Sequence, residues 1–383
     1  MKKFLSLVLA LVMTMSLVTV SAGAKDFADD SKITYKEAVD VMSAAKVIDG
    51  YADGSFNPTA TLTRGAAAKI ICNLILGPTT ASALVADAAP YSDVPTTHTF
   101  AGYIAYCQKE GIISGYADGT FRPANTLTGY AFMKMLLGAL GYDAEVEQYT
   151  GANWSINVAK RALNIGLDDD LVGDFNGIKA VNREEACLYA LNTLTADMVE
   201  YDAKTTVSTN GTTVVIAGSK AKEMVNNGNT DGKVFDKDGV MQFAEKYFDN
   251  LTVKTGSDDF ARPANVWKLK AEEIGTYTNT PDATYTKKVE NGDIYKDLGL
   301  GSNINKSDVT VFVDGLEDED LALSIRKGSD DKVGQSANGV LTEVYYDEDA
   351  DTVLVIQVNT YVGTVVRSVE ASGNRDAYVV IAP

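Results

Sequence analysis

Fourteen residues of this chain occur twice. GYADGSFNPTATLT, Gly50 to Thr63, and GYADGTFRPANTLT, Gly115 to Thr128, agree at 10 of 14 positions at a constant offset of 65. A duplicated unit of this size cannot bury its own apolar face, so the copies must pack on one another. The pattern extends on both sides without identity. Val39, Met42, Val47 and Ile48 fall opposite Ile104, Cys107, Ile112 and Ile113, and Ile70, Ile71 and Ile75 fall opposite Met135, Leu136 and Leu140. Spacings of three and four mark one apolar face on each of two helices, so each unit reads helix, turn-rich loop, helix.

The loop has its own chemistry. Gly50 and Gly115 are expected to end the first helix in a left-handed conformation, and Asp53-Gly54 and Asp118-Gly119 suit a tight turn. Phe56 and Phe121 are expected to plug the space beneath it. Pro58 and Pro123 block a restart of the first helix, and Thr63 and Thr128 are placed to cap the second. A weaker third copy runs from Trp154 to about Leu194, with a shorter loop lacking the proline. There, Asn182 followed by Glu185 makes a capping-box variant. Three such units are expected to close into a pseudo-threefold helical core with grooves between copies.

The rest of the chain bounds what it does. Residues 1–24 read as a secretory signal: Lys2 and Lys3, an apolar run, then Ala22-Gly23-Ala24. No later segment approaches the roughly 20 apolar residues of a membrane helix, so no stable span is expected once the signal is removed. A net charge of -18 argues against nucleic acid, which needs a basic footprint. Cys72, Cys107 and Cys187 lack metal-type spacing and read as buried small apolar residues, with one disulfide as the alternative. His98 is the single histidine and has no nucleophile partner in view, which excludes Ser-His and Cys-His schemes. No catalytic residue, metal site or cofactor is expected.

These residues resemble S-layer homology repeats. The resemblance is carried by GYADGSF and GYADGTF, the preceding AAKVID and KEGIIS, YSDVP at Tyr91 to Pro95, and the helix starts LTRGA and VNREEA. It implies copies over 25–80, 90–145 and 148–200 that grip an anionic, often pyruvate-modified, secondary cell-wall polysaccharide. It places the ligand-holding arginine of each helix start at Arg64 and Arg183, with Gly129 in its stead in the second copy. A cation there faces the positive end of the helix dipole, at a cost of roughly 0.3–1 kcal/mol that a bound anion would reverse. A carboxylate seated there could take helix N–H groups and the guanidinium together; the alternative is an arginine paired with an acid of the neighbouring copy. The resemblance further points to Trp154 and Phe100 as sugar platforms or core aromatics. Asp29 and Asp93 are acceptors of sugar hydroxyls or closers of a turn.

From about residue 203 to 383 the chain turns β-rich, which makes the whole an α + β multidomain protein. Strands are expected at Thr212 to Ala217, Asp308 to Val313 and Val362 to Val369. A hairpin of Leu341 to Tyr346 and Thr352 to Val358 is expected around DEDAD. Asn210-Gly211, Asn291-Gly292 and Asn338-Gly339 add turn signals, and one helix is expected at about Val240 to Phe248. NGNTDGKVFDKD, Asn227 to Asp238, imitates a calcium loop but lacks the first Asp and the last Glu, so a plain turn is the better reading. The expected whole is a secreted, non-catalytic protein of the cell wall and S-layer, anchored by its repeats and self-assembling through its β-rich region. A wall-anchored hydrolase or an adhesin acting through 203–383 stands as the alternative.

Overall fold

The computed structural model describes residues 26–202, 205–209, 212–216, 220–226, 239–321, 324–360, 364–369 and 378–382. The signal segment, the Asn210-Gly211 turn and the 227–238 loop lie outside the described residues. The chain forms two compact units, Val20–Lys254 with Val266–Gly275, and Thr255–Asn265 with Thr276–Pro383.

Six helices of the first unit fall into pairs: α1 (Lys36–Ala44) and α2 (Arg64–Ser82), α3 (Ala101–Lys109) and α4 (Gly129–Ala139), α5 (Trp154–Asn164) and α6 (Arg183–Thr195). Each second helix packs on the first helix of the next copy, α2 on α3 and α4 on α5, and α6 closes the circle on α1. The axis of this ring is written in three backbone hydrogen bonds. Leu127 N–H donates to Leu62 O at 2.9 Å, Val181 N–H to Leu127 O at 3.0 Å, and Leu62 N–H to Val181 O at 2.9 Å. All three residues are buried, so this cyclic exchange satisfies backbone groups that water cannot reach. Closure is completed by the buried Glu184, whose carboxylate accepts the Thr34 amide at 2.6 Å ahead of α1.

Local readings hold within each copy. Thr63 and Thr128 accept from Ala66 and Ala131 amides as N-caps, and Asn182 with Glu185 forms a complete capping box. Phe56 and Phe121 are fully buried beneath their turns, Phe56 tilted against Phe27 and Phe121 stacked on Tyr91. One expectation is corrected. Lys46 and Gly111, at φ 59° and 73°, carry the left-handed ends of α1 and α3, while Gly50 and Gly115 have no positive φ. Those two glycines are required by crowding instead. A Cβ on Gly50 would lie 2.5 Å from the Phe27 ring and 2.7 Å from Ser55 O, and Gly115 faces Tyr91 and Thr120 O in the same way.

Beyond the ring, the first unit also contains α7 (Phe243–Tyr247), the core of the helix expected at 240–248. The fully buried Trp267 donates from Nε1 to Glu37 on α1. The second unit is built on a five-stranded sheet. Strands Ala283–Tyr285, Val340–Asp347, Thr352–Asn359, Val309–Val313 and Leu316–Glu317 lie in that spatial order, with Val309–Val313 parallel to Thr352–Asn359. The predicted hairpin is the antiparallel centre, Asp347 opposite Thr352. Strands also occupy Thr212–Ile216 in the first unit and Thr364–Val369 in the second. Val289, Ile294, Ile304, Val311, Ile325, Val344 and Val355 are among the core residues of this unit. Asn291-Gly292, expected as a turn, opens α8 (Asn291–Asp297), because Glu290 and Asp293 supply reciprocal caps.

Candidate functional site: arginines in the grooves between copies

Arg64 is the first residue of α2, and the ring brings it onto the loop of the second copy. Its Nε donates to Phe121 O at 2.8 Å and its Nη2 to Ser114 O at 3.1 Å. The guanidinium carbon lies 4.3 Å from the Phe121 ring centre and 5.1 Å from that of Tyr116. Arg183, first residue of α6, repeats this arrangement on the loop of the first copy. Its Nε donates to Phe56 O at 2.9 Å, its Nη2 to Asp49 O at 2.7 Å, and its guanidinium sits over Phe56 and Tyr51 at 4.7 and 4.8 Å. Both side chains are half-buried, and neither forms an ion pair with a carboxylate among the described residues. Burial pushes the Arg64 guanidinium down from its ordinary value, and the Tyr116 and Tyr91 hydroxyls and Asp93 act against it. These contacts use carbonyls and ring faces, which orient a cation without neutralising it.

The helix-start amides have a different role from the one the sequence suggests. Arg64 and Gly65 N–H donate to Asn125 O and Pro123 O, and Arg183 and Glu184 N–H to Ala60 O and Pro58 O. Gly129 and Tyr130 follow suit with Lys179 O and Gly177 O. The first-turn donors therefore tie copy to copy, and the guanidinium is left as the group that would meet an anion.

Around Arg64 a groove of about 420 Å³ is lined by the loop residues Ser114, Gly115, Tyr116 and Phe121, by Lys134 of α4, and by Trp154. No carboxylate lines it. Arg64 and Trp154, ninety positions apart in sequence, share this groove because copy three packs beside copy two. Lys134 was missed by the sequence reading, although Lys69 occupies the matching position at the offset of 65. Its Nζ lies 5.7 Å from the Trp154 ring centre, and burial, with Arg64 adding repulsion, pushes its pKa down.

The remaining candidates sit elsewhere. Phe100, the residue before α3, lies against Gly65 at the α2 start and does not line the groove. Asp29 accepts from Phe56 N at 2.7 Å and Asn57 N at 2.8 Å, and Asp93 from Phe121 N and Arg122 N, both at 2.7 Å. Both oxygens of each carboxylate thus clamp the loop that carries the arginine's carbonyl acceptors. The Phe56 amide leads the lowering of the Asp29 pKa; at Asp93 burial acts upward and the Phe121 and Arg122 amides outweigh it. In the second copy's own position, a Cβ on Gly129 would lie 3.2 Å from Gly177 Cα and 3.3 Å from the Phe175 ring. The three cysteines are buried thiols, with Cys72 and Cys107 Sγ 3.6 Å apart. Among the described residues no group of three or more His, Cys, Asp or Glu could hold a metal, and no helix is long and apolar enough to cross a membrane.

The sequence model of the S-layer homology domain matches residues 26–68 and 90–129, the first two copies as far as their helix starts. The chain carries S-layer homology repeats over these residues. Similarity extends well past the repeats. The Surface layer protein of Brevibacillus choshinensis is 25% identical over 402 residues, covering 93% of this chain and 35% of that protein. The S-layer protein of Bacillus licheniformis is 24% identical over 365 residues, covering 84% of this chain and 41% of its own length. The Cellulosome-anchoring protein of Acetivibrio thermocellus is 32% identical over 106 residues, 28% of this chain and 24% of that protein. The chain thus spans about a third to two-fifths of the length of these two surface-layer relatives. Family and relatives place it at the cell surface as a secreted protein.

Proposed function

We propose that the S-layer homology repeats hold this protein non-covalently on the cell wall by binding an anionic secondary wall polysaccharide, pyruvylated sugars included. The observation that carries this reading is the pair Arg64 and Arg183. Two half-buried guanidiniums are aimed by the same carbonyl and ring contacts, without a carboxylate ion pair. A half-buried cation gains most from an incoming anion, because the surrounding protein screens the pair less than water does. Trp154 supplies a ring face for the C–H side of a sugar in the same groove, and Asp29 and Asp93 hold the loops in place. Phe100 supports the start of α2.

The β-rich region, in this reading, serves the surface layer without catalysis. In support, the similarity to two surface-layer proteins covers 93% and 84% of this chain, far beyond the repeats. The test is retention of the full chain on purified wall sacculi, with release by soluble wall polysaccharide. An Arg64→Ala, Arg183→Ala double variant that folds and still binds as wild type does would refute the assignment.

A further inference from the structure

One seam of the ring carries a chemistry that the other two lack. Cys72 on α2 and Cys107 on α3 are fully buried where copy one packs on copy two, with their Sγ atoms 3.6 Å apart. Each sulfur also reaches the backbone of the opposite helix, one turn before the other cysteine. Cys72 Sγ lies 3.5 Å from Tyr103 O, and Cys107 Sγ lies 3.7 Å from Ala68 O. The two helices therefore approach closely at this point, with both thiols in the seam between them.

The pairing is special to this seam. Met42 and Ala162 are the equivalents of Cys107 in the other first helices, since the carbonyls of the three accept the Val47, Leu167 and Ile112 amides in the same way. Cys72 stands as far beyond Arg64 as Leu137 does beyond Gly129 and Leu191 beyond Arg183. The equivalent pairs are thus Leu137 with Ala162 and Leu191 with Met42, side chains that cannot be joined. Packing asks only for small apolar groups at such a place. It does not ask for two sulfurs in contact.

We infer that Cys72 and Cys107 are a cross-linking site, which closes into a disulfide fastening copy one to copy two when the exported chain folds in the presence of a disulfide oxidant, while Cys187 stays a thiol. A disulfide brings its sulfurs to about 2.0 Å, a closure within reach of rotation about the two Cα–Cβ bonds. The oxidant is an external disulfide, small or protein-borne. One cysteine thiolate attacks it and releases one thiol, and the second thiolate then displaces the other. The two protons given up by the cysteines go to the two released thiols, and the two electrons lost by the protein reduce the external bond. Outside the cell no cytosolic thiol pool opposes this. Exchange belongs to the stage before the ring closes, because the folded pair is shielded and the Cys72 contact, and burial after it, keep Cys107 protonated. The same shielding then protects the bond once it has formed. The cysteines lie 35 positions apart, so the link also restricts the unfolded chain.

The experiment unfolds the reduced full chain in urea and refolds it by dilution, once with dithiothreitol and once with a mixture of reduced and oxidised glutathione. Each product is then denatured, alkylated and weighed by mass spectrometry. The dithiothreitol product should take up an alkyl group on each of the three cysteines. The glutathione product should take up one, on Cys187, and its digest should contain the Cys72 and Cys107 peptides joined. A Cys187→Ser chain should cross-link to the same extent, and its melting midpoint should stand about 5–15 °C above that of its reduced form and fall back on reduction. Three alkylated cysteines after oxidative refolding, glutathione adducts on Cys72 or Cys107 in place of the link, or a bond to Cys187 would each overturn the assignment. A cross-linked chain that melts below the reduced one would show that the bond does not fit the folded seam, and would overturn it too.

Discussion

Replacing Asp93 separates a loop clamp from a sugar contact. Its carboxylate receives the Phe121 and Arg122 amides at 2.7 Å each, and those residues carry the carbonyl and the ring that position Arg64. A hydrogen bond to a charged group contributes roughly 1.5–3 kcal/mol, and water can partly replace a half-exposed acceptor, so Asp93→Ala should cost about 3 kcal/mol for the two. For a unit of this size that is about 6–12 °C in Tm. Asp93→Asn keeps one acceptor and should cost about half. The folded-state pKa of Asp93 is depressed, so its contribution is present above the unfolded value of about 3.9 and fades as pH falls through the lower folded value. Wild type should therefore lose stability on acidification below about pH 4 more steeply than Asp93→Asn does. Urea titration of the full chain followed at 222 nm reads both effects, and sacculus retention in the cold reads binding by the folded fraction. An unchanged urea midpoint in Asp93→Ala would refute the clamp. Retention lost from a fully folded variant whose groove binds nothing would make Asp93 a ligand contact instead.

Other outcomes follow from the same geometry. Gly115→Ala should destabilise the first unit by about 1–3 kcal/mol, since the added methyl meets the Tyr91 ring and Thr120 O with no room to shift. At Gly119, where φ is +80° but nothing protein-derived crowds the Cβ beyond Ser92 at 3.9 Å, the same change should cost about 1 kcal/mol; equal urea midpoints would contradict this. Thr128→Ala should cost about 1 kcal/mol through the lost cap on Ala131, whereas Thr128→Ser should be nearly neutral in the same titration. Cys72, Cys107 and Cys187 should resist alkylation in the native protein and react after denaturation, which mass spectrometry before and after urea decides. The Cys72 contact, and burial after it, hold the Cys107 thiol up, adding to that protection.

Much of the first unit was legible because its signals are local. The 65-residue offset, the three-and-four spacing of apolar side chains, the Thr and Asn caps and the buried Phe56 and Phe121 each depend on neighbours within a turn or two of chain. Arg64 and Arg183 were also legible, as helix-start cations. What they touch was not, since Phe121 O and Phe56 O belong to other copies and reach them only when the ring closes. The same holds for Gly50 and Gly115. Glycine there looked like a helix stop, and the cause is a ring from the copy's own lead-in pressed against the backbone. In the second unit, Asn291-Gly292 read as a turn from the dipeptide's own preference, which the capping by Glu290 and Asp293 outweighs in the fold.

Periodicity and caps act within one segment, so the amino-acid order by itself determined that there are three helical hairpins and where each begins. Which hairpin meets which, and hence that Arg64, Lys134 and Trp154 converge on one cleft, was decided by tertiary packing alone. The Leu62, Leu127 and Val181 amides can satisfy one another only around a closed axis, and that closure draws side chains from three copies into one groove.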